Sequence, residues 1–133
     1  MKLSIAAIAC ILFTAHSRAQ DSYEKVADEM IPAFTKLGDT LANVKDKKTF
    51  EDAKPTFKQV TKTMLDLKER AEKLGEPKGD KKEELEKKYK PKIEEATKKM
   101  TTEMVRIATQ VEGGQDIVKE LSEILAPLNK KKK

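Results

Sequence analysis

The spacing of apolar residues between positions 50 and 74 constrains this chain more than any other feature. Phe50, Ala53, Phe57, Val60, Met64, Leu67, Ala71 and Leu74 follow one another at intervals that alternate between three and four. An α-helix gathers such residues on one face, whereas a strand would throw them to both sides. The stripe is narrow, as on a helix laid lengthwise against its neighbours. Thr49 followed by Asp52 resembles a capping box at its start, with Asp46 as a competing N-cap. Gly75 and then Pro77 form a stop, because glycine accepts the left-handed cap and proline cannot continue the helix.

Three further segments carry the same period. From about Ser22 to Val44 the stripe is Tyr23, Val26, Met30, Phe34, Leu37, Leu41 and Val44. A third helix is predicted to open at Asp80, with Glu83 reaching back to the cap. It carries Leu85, Tyr89, Ile93, Ala96, Met100, Met104, Ile107 and Val111 before Gly113-Gly114 end it. A short fourth helix is predicted from Asp116 to a stop at Pro127, with Ile117, Val118, Leu121, Ile124 and Leu125 as its face. No segment shows strict alternation of apolar and polar residues, so the expected class is all-α. The short connections at Lys45-Asp46 and Glu76 to Gly79 make consecutive helices antiparallel. The expected architecture is an elongated, coiled-coil-like antiparallel three-helix hairpin or bundle. Its short fourth helix would fold back or reach towards a partner.

Pro32, Pro55 and Pro91 fall inside these helices. An interior proline costs about 3 kcal/mol through the lost amide and the ring clash. Pro55 lies near a helix start and is the easiest to accommodate, while Pro32 and Pro91 predict a bend or break. Such bends would wrap the helices around one another, or alternatively form a hinge or ligand cleft.

Length and charge narrow the setting. Met1 to Ala19 reads as a secretory signal: Lys2 is the basic start, Leu3 to Ala15 are almost entirely apolar, and Ser17-Arg18-Ala19 puts small residues at a cleavage site. The apolar run, about 13 residues, is shorter than the ~20 that span a bilayer as a helix. Cys10 follows Ala7-Ile8-Ala9 in a way that faintly resembles a lipidation site, but Ile11, Leu12 and Phe13 stand where a polar tether belongs. The expected organisation is thus a signal peptide over 1–19, one helical domain over 20–128 and a disordered Lys-rich tail over 129–133. Cleavage near Ala19 would deliver the domain to a secreted or periplasmic location.

That cleavage also removes chemistry. The only cysteine and the only histidine are Cys10 and His16, and the chain has no tryptophan. Zinc sites, c-type haem attachment, di-iron Glu-x-x-His pairs and imidazole-assisted nucleophiles would all be out of reach of the processed domain. Carboxylate pairs such as Glu83-Glu84 and Glu94-Glu95 could hold a hard cation weakly, but no calcium-loop pattern surrounds them. They interleave with Lys81, Lys82, Lys87, Lys88, Lys98 and Lys99, which is the pattern of a solvated face. Among 28 Lys and Arg against 23 Asp and Glu, Lys2 and Arg18 lie in the leader and Lys130 to Lys133 at the end. The body between them is therefore nearly neutral. Arg70 and Arg106 are its only arginines, so a nucleic-acid partner is not expected.

One further likeness concerns three runs: Leu41-Ala42-Asn43-Val44-Lys45-Asp46, Phe50-Glu51-Asp52-Ala53-Lys54-Pro55, and Leu67 through Gly75-Glu76-Pro77. Together they resemble small uncharacterised exported proteins of planctomycete bacteria, over roughly Tyr23 to Val111. The resemblance implies a bacterial cell-envelope setting and a third helix with a tyrosine and an interior proline. It implies no activity, and no functional residue is carried over from it.

The resulting expectation is an exported, non-enzymatic binding or structural protein with no catalytic, cofactor or metal residues. It would act through contacts with an envelope protein or through self-association as a homo-oligomer. It would have no membrane span after processing, and the lysine tail could touch an anionic surface at about 1 kcal/mol per lysine. The alternative is a periplasmic holdase-like chaperone with a cleft lined by Met30, Phe34, Met100 and Met104. An enzyme working with carboxylates and lysines alone would need one of them buried beside a pocket.

Overall fold

The computed structural model describes residues 22–129, so the leader and Lys130 to Lys133 lie outside the described residues. Four helices account for nearly all of it: α1 (Tyr23–Ala42), α2 (Lys47–Leu74), α3 (Asp80–Gln110) and α4 (Gly114–Asn129). Among the described residues there is no strand, and the helices pack as a bundle.

Local chemistry fixes most of the boundaries. Ser22 caps α1 by accepting the Lys25 amide. At α2 the competing candidate is the N-cap and the expected Thr49–Asp52 box is corrected: Asp46 accepts from the Thr49 amide at 2.8 Å, while Thr49, at the third helical position, accepts from the Asp46 amide through its hydroxyl at 3.0 Å. Gly75 ends α2 with a φ of 75°. Two further expected caps are corrected. Gly79, without a side-chain bond, precedes α3, and Asp80 is already its first residue. α4 begins at Gly114, so Asp116 lies in its first turn. Gly114 is obligatory there, because a Cβ would fall 1.8 Å from the Ile107 carbonyl oxygen.

The prolines do not break their helices. α1, α2 and α3 run unbroken through Pro32, Pro55 and Pro91, and α4 passes Pro127 to end at Asn129, which belongs to the helix and not to a tail. All four rings are exposed. Each missing amide bond then lies on the wet side, where water serves the freed carbonyl and the buried ladder stays whole.

Side-chain bridges set the directions. Tyr23 meets Leu74 and Glu29 meets Arg70, so α1 and α2 are antiparallel. Asp28 with Tyr89, Asp39 with Lys99 and Leu41 with Arg106 advance together, so α1 and α3 are parallel. Lys54 with Glu120 and Lys68 with Leu128 make α2 and α4 parallel. α1 packs on α2 and α3, and α4 packs on the same two helices. α2 and α3 make no lengthwise contact and lie across the diagonal. The five residues from Gly75 to Gly79 can span about 17 Å when extended, enough to cross a bundle whose neighbouring axes lie 8–10 Å apart. The expected antiparallel three-helix order with a short fourth helix holds, and the fourth helix folds back between the second and third, which face each other across the diagonal.

The core is concentrated where all four helices are present. Leu37, Leu41, Val44, Phe50, Phe57, Ile107 and Leu121 are essentially sealed from solvent. Phe50 and Phe57 stack in a tilted pair with centroids 5.9 Å apart. Thr61, the buried polar side chain here, donates its hydroxyl to the Phe57 carbonyl at 2.8 Å.

A candidate interaction groove

Helix length decides where the bundle is incomplete. α2 has 28 residues and α3 has 31, but α4 has only 16, or about 24 Å at 1.5 Å per residue. α4 starts beside the α1–α2 turn and stops at the level of Lys68, whose ammonium donates to the Leu128 carbonyl at 2.9 Å. Beyond that point the diagonal pair α2 and α3 has only α1 beneath it. The result is a trough of ≈ 450 Å³ floored by Val26, Ala27 and Met30. Its walls are Ala71 and Leu74 on α2 and Leu85, Tyr89 and Ile93 on α3. A second hollow of ≈ 440 Å³ adjoins it through Met30 at the end of α4, with Phe34, Met64, Met100, Leu125 and Leu128 around it.

The apolar stripe residues of this upper region are half-buried: Tyr23, Met30, Ala71, Leu74, Leu85 and Ile93 have neither the seal of the lower core nor full exposure. Val26 on the floor and Tyr89 on the wall are the exceptions, each 3% exposed, the Tyr89 ring filling the space between α3 and α1. Both tyrosine hydroxyls are engaged. Tyr23 donates to the Leu74 carbonyl at 2.8 Å, and Tyr89 donates to Asp28 Oδ1 at 2.9 Å. They hold the helix ends together and leave the trough an apolar surface.

Charges frame the trough as ties between helices. Lys81 pairs with Glu24 at the upper rim, which pulls the Glu24 carboxyl below its ordinary 4.5 and raises Lys81. Arg70 bridges to Glu29 at 2.5 Å and 3.2 Å. Lower down, Lys99 pairs with Asp39, and Lys54 reaches Glu120 at 2.5 Å and Glu51 at 2.6 Å while lying over the Phe50 ring. Those partners raise Lys54 and lower Glu120. Such exposed pairs add little individually and mainly fix orientation.

The sequence candidates for chemistry are dispersed. Glu83, Glu84, Glu94 and Glu95 are exposed, with Glu84 beside Lys81 and Glu94 beside Lys90. Glu24 and Asp28, a helical turn apart, are each tied to α3. Among the described residues, no three His, Cys, Asp or Glu converge as metal ligands, and no helix is long and apolar enough to cross a membrane. Of the four residues expected to form a cleft, Met30, Phe34 and Met100 line one hollow, while Met104 packs against the core outside it.

One structural residue escaped the sequence reading. Arg106 reaches over the end of α1, where its Nη2 donates to the Leu41 and Val44 carbonyls at 3.1 Å and 2.9 Å, while Nε donates to Glu103 at 2.6 Å. A helix C-terminus leaves carbonyls without partners, and a guanidinium supplies several donors in a fixed fork. The available signal was an arginine beside the sealed Ile107. No protein-family model, no curated protein and no solved structure matches the chain.

Proposed function

We propose that this chain is an exported, non-enzymatic helical protein of the cell envelope that works by binding another protein. The observation that carries this reading is the upper trough, an apolar surface bounded by three helices, with Glu86, Lys90 and Glu94 along its α3 side and both tyrosine hydroxyls committed to holding the helices together. Ligand sites for polar small molecules need convergent donors and acceptors, and this trough supplies contact area instead. The composition of the leader supports export, and the resemblance noted above supports a bacterial envelope.

Expression with a C-terminal tag, followed by fractionation and intact-mass analysis, tests this reading. The expected product starts near Gln20, without Cys10 and His16, and cross-links to an envelope protein. A cytoplasmic product that retains both residues and cross-links to nothing contradicts it.

A second reading rests on the hollow lined by Met30, Phe34, Met64 and Met100. Methionine adapts its shape, and a methionine-lined hollow suits varied unfolded segments. A holdase of this kind would suppress aggregation of a denatured client at near-stoichiometric ratios. No suppression at several-fold excess removes it.

A further inference from the structure

Three of the four methionines among the described residues line one hollow, the ≈ 440 Å³ space under the last turns of α4: Met30 on α1, Met64 on α2 and Met100 on α3. Met104 packs against the core outside it. The three differ in reach. Met64 is 9% exposed, and Met100 lines this hollow but not the trough. Met30 is half-buried and lines the open trough as well, so it is the thioether that a small solute meets first. The antiparallel bridges Tyr23 to Leu74 and Glu29 to Arg70 set Met30 level with Lys68. Lys68 lines the same hollow, and its ammonium holds the end of α4 through the Leu128 carbonyl at 2.9 Å.

We propose that Met30 is an oxidation site, where hydrogen peroxide turns the thioether into a sulfoxide that draws Lys68 off Leu128 and loosens the end of α4. The sulfur lone pair attacks one peroxide oxygen and the O–O bond breaks as the S–O bond forms. Sulfur is oxidised by two electrons and the peroxide is reduced. The proton on the transferred oxygen passes to the departing hydroxide, which leaves as water. A flexible apolar side chain thereby gains a strong acceptor, which is costly to bury without a donor. The polar residues lining the hollow are Lys68 and Asn129. α1 and α4 stand at opposite corners of the bundle and make no contact, so one ammonium serves either the new oxygen on Met30 or the Leu128 carbonyl. With the Leu128 tie gone, the last turns of α4 come away from α2 and the hollow opens into the trough. The inference goes beyond the binding reading and does not depend on it.

The test treats the full chain with a limiting dose of hydrogen peroxide and locates the added oxygen by peptide mass mapping. Met30 is expected to oxidise first, at least about fivefold faster than Met64, Met100 or Met104, because susceptibility follows access. In protein oxidised at Met30, amide exchange at Ile124, Leu125 and Ala126 should quicken at least about fivefold, the factor lost with one hydrogen bond. Met30→Leu should abolish the response to peroxide. Met30→Gln, whose side-chain carbonyl is an acceptor from the start, should reproduce the fast exchange without peroxide. Lys68→Leu should show fast exchange before treatment and gain nothing from it. Leucine matches methionine in volume, so Met30→Leu keeps the fold and carries the test where Met30→Gln does not.

Oxidation at Met64, Met100 or Met104 as fast as at Met30 overturns the assignment of the site. Unchanged exchange at residues 124–126 after oxidation of Met30, or the same quickening in treated Met30→Leu, overturns the inference. Slower exchange there, the sign of an ammonium bridging both oxygens, overturns it too.

Discussion

The two ends of the bundle are built from the same kind of stripe but differ in completeness. At the α1–α2 turn, four helices surround Phe50, Phe57, Ile107 and Leu121, and these residues are buried to within 1% of full exclusion. At the opposite end, three helices leave Leu74, Leu85 and Ile93 half-buried, and the joints are polar: Tyr23 to Leu74, Tyr89 to Asp28, Arg70 to Glu29. A helical seam seals only when a fourth element covers the diagonal. Where none does, hydrogen bonds keep the helices in register and apolar area stays available.

The largest expected effect would break that contrast at the closed end. Phe57→Ala should cost about 3–5 kcal/mol in chemical denaturation, because a sealed ring leaves a cavity. Ile93→Ala, on the trough wall, should cost only about 1 kcal/mol. Equal costs would mean that the two ends are packed alike. Next comes the α3–α4 joint. Gly114→Ala places a methyl group against the Ile107 carbonyl and should cost about 2 kcal/mol or more, loosening α4 and opening the lower core. Its signature is a lowered midpoint together with increased binding of an apolar dye.

Arg106→Ala should cost about 2 kcal/mol, since it leaves the Leu41 and Val44 carbonyls without their charged donor. Arg106→Lys should recover only part of this loss, because an ammonium cannot reproduce the guanidinium fork. A thermal melt of both variants checks the order.

The first two stripes were legible in the sequence residue by residue. The most deeply buried large side chains of α1 and α2 all come from the stripes, while Tyr23, Met30, Phe34, Ala53, Ala71 and Leu74 on them are half-buried and the small Ala33 and Gly38 are buried off the stripe. The α3 stripe was read correctly as helical, yet only Tyr89, Ala96 and Ile107 on it are fully buried. Spacing reveals which face of a helix is apolar but not how many neighbours cover it. For the same reason the periodicity could not place α2 and α3 on a diagonal or bring α4 between them. Nor does proline content reveal ring orientation, and outward rings are what allow Pro32 and Pro91 to sit in unbroken helices. The sequence points to the second hollow in part, through Met30, Phe34 and Met100 but not Met104, while the trough walls Ala71, Leu74, Leu85 and Ile93 form a surface only because α4 stops short.

The smallest effect concerns pH. Lys81 holds Glu24 below its ordinary value, the Thr49 amide does so for Asp46, and Lys54 does so for Glu120. A carboxyl lowered on folding contributes stability that is fully present above its unfolded value and disappears as pH falls through the lowered one. The melting midpoint should therefore be level near neutrality and decline as pH drops below the ordinary 4.5 of Glu24 and 3.8 of Asp46. Glu24→Gln should flatten part of that decline at the open end, and Glu120→Gln part of it at the closed end. A decline unchanged in both variants would assign acid sensitivity elsewhere.

Residue-resolved native-state hydrogen exchange tests the half-filled bundle most directly. Amides around Phe57, Ile107 and Leu121 should exchange only through global unfolding, while those around Ala71–Leu74 and Leu85–Ile93 should exchange through a smaller opening of lower free energy. A single uniform free energy along α2 and α3 would contradict the account.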